Sequence, residues 1–78
     1  MKKLFVANVN FAASDEELRE LFETIGPVKR CNIIKTDGRS RGYGFVEYAD
    51  ELDASRAIDD LNGQTFMGRK LLVQEGKK

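Results

Sequence analysis

The sequence predicts an α+β fold in which two amphipathic helices cover one face of a four-stranded antiparallel sheet. Apolar residues recur at helical spacing in two separate segments, and strand-like segments precede, separate and follow them. A short polar turn joins two of the strands directly, which indicates a hairpin. The chain has 78 residues, 41% of them hydrophobic, so these elements share one small core.

The first half of the chain is predicted to form a strand, a helix and a second strand. The first strand covers residues 2–9, and Ser14 begins the helix with Glu17 as the partner in a capping box. Its buried stripe follows the spacing i, i+3, i+4 and i+7 and consists of Leu18, Leu21, Phe22 and Ile25. Gly26 and Pro27 are expected to end the helix before the second strand, VKRCNIIK.

The second half is predicted to form a strand, a helix and a last strand. TDGRS is the turn, and RGYGFVEYA, starting at Arg41, is the third strand. Asp50 caps the second helix and Asn62 with Gly63 ends it. The apolar stripe of this helix is Ala54, Ala57, Ile58 and Leu61. LLVQE, starting at Leu71, completes the order β-α-β-β-α-β, a ferredoxin-like sandwich with both helices on the same face.

The third strand alternates glycine with large aromatic residues. Because strand side chains alternate in direction, Tyr43 and Phe45 share a face with Arg41 and Glu47. Burying both charges unpaired would cost on the order of several kcal/mol, so this face is predicted to reach water. Two neighbouring aromatic residues are therefore predicted on the open face of the sheet.

The same phase extends over the whole sheet. The predicted helix-facing residues are Leu4, Val6, Cys31, Ile33, Val46, Tyr48, Leu71 and Val73. The predicted open face adds Phe5, Ala7, Asn32, Ile34, Leu72 and Gln74, with basic residues around it: Lys3, Arg39, Arg41, Lys70 and Lys77. Gly42 and Gly44 are expected to keep the other side of the third strand thin, so that a helix approaches closely.

Charge is sorted by element, although the chain as a whole has 13 basic and 13 acidic residues. Residues 14–24 and 50–62 carry ten acidic and two basic residues, a net charge of −8. The remaining residues carry eleven basic and three acidic residues, a net charge of +8. A zero net charge alone would argue against a polyanionic partner, but this separation predicts acidic helices and a more basic sheet.

The composition also excludes several classes of site within this chain. There is one cysteine and no histidine, which excludes an internal disulfide, a histidine-based catalytic centre and a structural zinc site. No apolar run is as long as a membrane span, and the N-terminus turns polar too soon for a secretion signal. We therefore expect an intracellular protein, cytoplasmic or nuclear, without a cofactor.

Two segments resemble the signatures of a known family. Arg41–Tyr48 (RGYGFVEY) fits the ribonucleoprotein octamer pattern of the RNA recognition motif at every position. LFVANV, starting at Leu4, resembles the second signature of that family and lies in the first strand, where that signature belongs. The resemblance extends through DEELRELFETIGPV and NGQTFMGRKLLV, so it implies one domain over residues 1–76, with 77–78 as a flexible C-terminal end.

The resemblance implies a role for each matching residue. Phe5 and Phe45 would each stack on a base, Tyr43 would pack between consecutive nucleotides, and Arg41 would pair with a phosphate. Such stacking is worth about 1–3 kcal/mol per base. The other expected RNA-binding residues are the base-edge readers Asn32 and Gln74 and the cations Lys3, Arg39 and Lys77.

Peptide binding and catalysis are the two other classes of function for this fold. Some proteins of this fold bind a peptide, usually with a degraded aromatic surface or an Arg-x-Phe motif before the last strand, where this chain has Gln64-Thr65-Phe66. An enzyme is not predicted, because Cys-x-x-Cys and Gly-x-x-x-x-Gly-Lys motifs are both absent. The sequence thus predicts a monomeric module for single-stranded RNA, and leaves single-stranded DNA open because no residue identifiably reads a 2′-hydroxyl.

Overall fold

The computed structural model describes residues 2–76, and it has the predicted ferredoxin-like architecture. The elements in chain order are β1 (Lys3–Ala7), α1 (Asp15–Glu23), β2 (Val28–Thr36), β3 (Arg39–Tyr48), α2 (Glu51–Leu61), β4 (Thr65–Phe66), β5 (Arg69–Lys70) and β6 (Leu72–Glu75). The main sheet is antiparallel throughout, with the strand order β2-β3-β1-β6. Neither helix is long and apolar enough to cross a membrane.

Both helices begin at the residues that the sequence indicates. The Ser14 hydroxyl accepts a hydrogen bond from the Glu17 amide at 3.1 Å, and the Glu17 carboxylate accepts one from the Ser14 amide at 2.9 Å, which completes the capping box. Asp50 caps α2 by accepting from the Leu52 amide at 2.9 Å. α1 ends earlier than Gly26-Pro27, at Glu23, because Thr24 already caps it and donates its hydroxyl proton to the Leu21 carbonyl at 2.6 Å.

The hydrophobic core lies between the helices and one face of the sheet. Seven of the eight predicted helix-facing residues are buried: Leu4, Val6, Ile33, Val46, Tyr48, Leu71 and Val73. Cys31, on the outer strand β2, is only half-buried. The buried Tyr48 hydroxyl donates to the Phe22 carbonyl at 2.6 Å, and burial raises the pKa of this phenol far above its usual range. The predicted phase of the sheet is therefore confirmed.

Two tight hairpins have the same turn geometry. Asp37 and Gly38 join β2 to β3 with φ of 53° and 78°, and Met67 and Gly68 join β4 to β5 with φ of 51° and 86°. Positive φ at both central residues is typical of a type I′ turn, whose twist suits a hairpin. β3 consequently begins at Arg39, two residues before its predicted start. The sequence does not indicate the β4–β5 hairpin, because strands of two residues are too short to show a periodic pattern.

The two glycines of β3 were expected to allow a helix to approach closely, but other contacts require them. A Cβ atom on Gly44 would lie 2.8 Å from the Cα of Ile33 on β2 and closer still to the Asn32 carbonyl oxygen. A Cβ atom on Gly42, where φ is +79°, would lie 2.7 Å from the ring of Phe11. The glycines therefore admit the backbone of β2 and an aromatic ring from the β1–α1 loop, and the contact that requires each of them is not with a helix.

Candidate nucleic-acid interface

Three aromatic side chains form a cluster on the face of the sheet that the helices leave open. Phe5 on β1 lies opposite Phe45 on β3, and their ring centroids are 5.6 Å apart with an interplanar angle of 60°. The Phe5 ring also lies 5.7 Å from the Tyr43 ring, at 41°. These separations are those of aromatic pairs that support one another. We call Phe5, Tyr43 and Phe45 the aromatic platform; each of them is half-buried, so part of each ring remains accessible.

Polar residues continue the platform toward both edges of the sheet. Asn32 on β2 is in register with Phe45, and Gln74 on β6 is in register with Phe5. Both side chains are exposed. The row Asn32-Phe45-Phe5-Gln74 thus crosses all four strands, with aromatic rings in the middle and an amide at either end. The structure therefore places both predicted base-edge readers beside the aromatic rings.

Basic residues lie at both ends of β3. At one end the Lys3 ammonium lies 4.8 Å from the centroid of the Phe45 ring, a distance typical of a cation–π contact. At the other end the exposed Arg39 and Arg41 line a shallow depression beside the β2–β3 turn. Lys70 is exposed on β5, and Lys77 lies outside the described residues. A polyanion that crosses the platform along β3 would therefore meet cations at each end.

The open face also carries a carboxylate. Glu47 on β3 lies opposite Lys3 on β1 and Arg30 on β2. Its Oε1 atom is 3.9 Å from the Nε atom of Arg30, and its side chain is 31% exposed. The charge of Glu47 helps to predict which face of β3 is wet, but sequence reasoning assigns no binding role to Glu47 or Arg30.

A second cluster lies where β1 leaves the sheet. The Asn8 side-chain oxygen accepts hydrogen bonds from Arg69 Nε at 3.1 Å and Nη2 at 2.7 Å, and its amide nitrogen donates to the Lys70 carbonyl at 2.7 Å. The Arg69 guanidinium carbon is 6.0 Å from the ring centroid of Phe11, a residue that is 67% exposed. Sequence reasoning missed this cluster because its members are about sixty positions apart and belong to no common motif.

The residues that could support catalysis or metal binding are few. Burial raises the pKa of the Cys31 thiol to about 11, with a smaller contribution from Asp15, whose carbonyl accepts from the thiol at 3.5 Å. A thiol with this pKa is a poor nucleophile at neutral pH. Across residues 2–76, no group of three or more histidine, cysteine or acidic side chains is placed to hold a metal ion.

The chain is similar to known proteins over most of its length. The family model described as the RNA recognition motif matches residues 4–72. Over 74 residues the chain is 42% identical to the U1 small nuclear ribonucleoprotein 70 kDa of Xenopus tropicalis, and the match covers 92% of this chain and 16% of that protein. The chain thus spans only a small part of such a relative.

Solved structures show the same architecture. The RNA-binding protein PG1 superposes with a TM-score of 0.94 at 42% identity, over 100% of this chain and 96% of that one. A Sex-lethal protein in complex with RNA has a TM-score of 0.94 at 35% identity, over 99% of this chain and 47% of that one. One of these similar structures therefore holds RNA.

Proposed function

This chain belongs to the RNA recognition motif family, and from that premise we propose that its open sheet face binds a short segment of single-stranded RNA. The observation that carries the proposal is the aromatic platform, in which three rings remain accessible on the face opposite the helices. A sheet face that served only for folding would bury such rings, as the other face does.

Each platform residue has a distinct part in the proposed complex. Phe5 and Phe45 stack on successive bases, because unpaired bases expose flat faces that a ring can cover. Tyr43 packs against the sugar and base between them, and Arg41 pairs with a phosphate at the end of the platform. Asn32 and Gln74 reach the edges of the stacked bases, while Lys3, Arg39 and Lys77 attract the phosphate backbone.

Lys3 must move for a base to stack on Phe45, because its ammonium lies 4.8 Å above that ring. An exposed cation–π contact is worth about 0.5–1 kcal/mol, whereas base stacking on an aromatic side chain is worth about 1–3 kcal/mol. The exchange therefore favours the base. The displaced ammonium remains within reach of the same nucleotide, so its charge continues to contribute.

We further propose that residues 1–76 act as one monomeric domain without catalysis or a cofactor. The C-terminal end predicted at 77–78 lies outside the described residues. The Cys31 thiol, whose pKa burial raises to about 11, is even less nucleophilic at neutral pH than an ordinary thiol, which argues against thiol-based catalysis. We place the protein inside the cell, in the cytoplasm or the nucleus. Single-stranded DNA is a competing ligand, because it offers the same base faces.

Peptide binding is the alternative to RNA binding. The intact platform argues against it, as does Gln64-Thr65-Phe66, which has no arginine where the peptide-binding motif requires one. The two functions predict different surfaces. RNA should shift backbone amide resonances of β1, β3 and the flanking strands, whereas a peptide bound through the helices should shift those of α1 and α2.

The decisive experiment substitutes the platform one ring at a time. Phe5→Ala, Tyr43→Ala and Phe45→Ala should each weaken binding of a short single-stranded RNA by about 1–3 kcal/mol, because each removes one stacking surface. Isothermal calorimetry measures the affinity, and circular dichroism checks that each variant is folded. Leu52→Ala is the control, because Leu52 is an exposed apolar residue on α2, with 72% of its surface accessible. Folded platform variants that bind as tightly as the parent would refute the proposal.

A salt titration distinguishes the phosphate contact of Arg41 from the stacking contacts of the aromatic rings. Binding to single-stranded RNA should weaken with salt, with a slope of about −0.7 for each phosphate contacted. Arg41→Ala should make that slope shallower by about 0.7, since it removes one phosphate contact. The ring substitutions should leave the slope unchanged.

A further inference from the structure

Glu47 places a negative charge on the surface that we propose binds a polyanion. It lies on the open face two residues beyond Phe45, where its negative charge repels phosphates. The family octamer pattern accepts any residue at this position, so the signature does not require a carboxylate there. A reason specific to this chain must account for it.

The contribution of Glu47 to the stability of the fold does not explain why a carboxylate is present here. The contact between Glu47 and Arg30 is 3.9 Å long, and 79% of the Arg30 side chain is exposed, so the pair contributes little to folding. The Lys3 ammonium, on the other neighbouring strand, lies over the Phe45 ring. Within residues 2–76 the Glu47 carboxylate accepts no hydrogen bond from another protein group. Its lone pairs therefore remain available to a ligand.

Glu47 lines a hollow beside the platform, which we call the Glu47 hollow. Its lining residues are Lys3, Arg30, Asn32, Phe45 and Glu47. The volume is about 140 Å³, far more than the roughly 10–15 Å³ that a cavity needs to hold one water molecule. A base that stacks on Phe45 would turn one edge into this hollow, toward one carboxylate, one amide and two cations.

Building on the proposed RNA binding, we propose that the Glu47 hollow selects guanine. A carboxylate only accepts hydrogen bonds, and its two oxygens match a pair of adjacent N–H donors. Guanine offers that pair on its Watson–Crick edge, as N1–H and the N2 amino group. Adenine and cytosine each place one amino group beside an acceptor nitrogen, and uracil places its one N–H between two carbonyl oxygens.

The neighbouring cations complement this assignment. The guanine edge that carries O6 and N7 presents two acceptors, which lysine and arginine commonly bind in nucleic-acid complexes. Lys3 and Arg30 lie opposite Glu47 on the two neighbouring strands, and both line the hollow into which the acceptor side of such a base would point. The hollow thus has donors and an acceptor in the combination that guanine requires.

The test compares four pentanucleotides, UUGUU, UUAUU, UUCUU and UUUUU, on the folded chain. The parent protein should bind UUGUU about tenfold more tightly than the other three, the discrimination expected of a bidentate contact to a base edge. Glu47→Gln should abolish most of that preference. It should also bind UUUUU as tightly as the parent or more tightly, because it removes a charge that repels phosphate. The readout is therefore the ratio of affinities.

Two controls make the outcome specific. Glu20→Gln makes the same chemical change on the exposed side of α1, and it should leave the guanine preference intact. Inosine in place of guanine removes only the N2 amino group, so it should weaken binding to the parent several-fold and have little effect on Glu47→Gln.

Different results would contradict guanine selection and RNA binding. A parent protein that binds all four RNAs equally, or a Glu47→Gln variant that keeps the preference, would overturn guanine selection while RNA binding stands. A parent protein that binds none of the four would overturn RNA binding itself. Circular dichroism of Glu47→Gln should match the parent, because the side chain lies outside the core.

Discussion

Two tyrosines on β3 show how differently the two faces of one strand are used. Tyr48 points toward the helices, is completely buried and donates its hydroxyl proton to the Phe22 carbonyl at 2.6 Å. Tyr43, five residues earlier, points to the open face and keeps part of its ring accessible, 5.7 Å from the ring of Phe5. The residue type is the same, so the phase of the strand decides which ring stabilises the fold and which remains available to a ligand.

The two faces of the sheet also differ in charge and in apolar area. The helix-facing side chains Leu4, Val6 and Val46 have no accessible surface, so their apolar area contributes to folding. The open face keeps the charged residues Lys3 and Glu47 beside the ring of Phe45. The two faces should consequently respond to mutation in opposite ways, one in stability and the other in RNA affinity.

The largest expected effect is on the buried face. Phe22→Ala should lower the free energy of unfolding by about 3–5 kcal/mol, because it leaves a cavity in the core. Phe45→Ala, on the open face, should lower it by about 1 kcal/mol or less, since its ring is only half-buried. Urea denaturation followed by circular dichroism measures both. Equal losses in the two variants would contradict the division between the faces.

An intermediate effect is expected at Gly44, where β3 packs against the backbone of β2. This contact supports the core and also positions Asn32 on the open face. Gly44→Ala should lower the free energy of unfolding by up to about 3 kcal/mol, because the new methyl group meets the backbone of β2. It should also displace Asn32 and weaken RNA binding.

Gly38→Ala is the matched control for that substitution. A methyl group at Gly38 has no atom within 4 Å, so only its positive φ of 78° is strained, at a cost of about 1 kcal/mol. RNA affinity should not change. If Gly44→Ala is no less stable than Gly38→Ala, then the close approach of β2 does not require a glycine.

The smallest expected effect comes from Cys31, at the edge of the buried face. Folding raises its pKa from an ordinary 9.0 to about 11, so the neutral thiol is the form that the folded state prefers. The associated stability is fully present below pH 9 and decreases as the pH rises toward 11. Because the thiol is only half-buried, we expect a loss of about 1 kcal/mol.

The measurement compares urea midpoints at pH 8 and pH 10.5 for the parent and for Cys31→Ala. The variant should be less stable at pH 8, because it loses packing, but its stability should fall less between the two pH values. Parallel losses in the two proteins would show that other groups, such as Tyr48, account for the alkaline destabilisation.

Most of the helices and strands could be predicted from the sequence, because the residue patterns that indicate them lie within single segments. The capping box at Ser14 and the apolar spacing of α1 lie within one segment, and the charges of Arg41 and Glu47 set the phase of β3. The ends of elements were less predictable. α1 ends at Glu23, where Thr24 caps it, and β3 starts at Arg39, because individual hydrogen bonds and turn angles decide those positions.

Other features arise only when distant segments meet. The register of three strands brings Lys3 and Arg30 to opposite sides of Glu47, and the reason for Gly44 is the backbone of β2. The hydrogen bonds from Arg69 to the Asn8 side chain join residues that are 61 positions apart. No pattern of neighbouring residues records such contacts, because they depend on how the strands align after folding.

The sequence by itself therefore determined which side chains share a face. Alternation along β3, together with the cost of burying charge, placed Tyr43 and Phe45 on the open face and Tyr48 in the core. Only the tertiary structure decided what surrounds those rings, including the ammonium over Phe45 and the Glu47 hollow beside it. The physical reason is that alternation is a property of one strand, whereas a binding surface is made by cross-strand register.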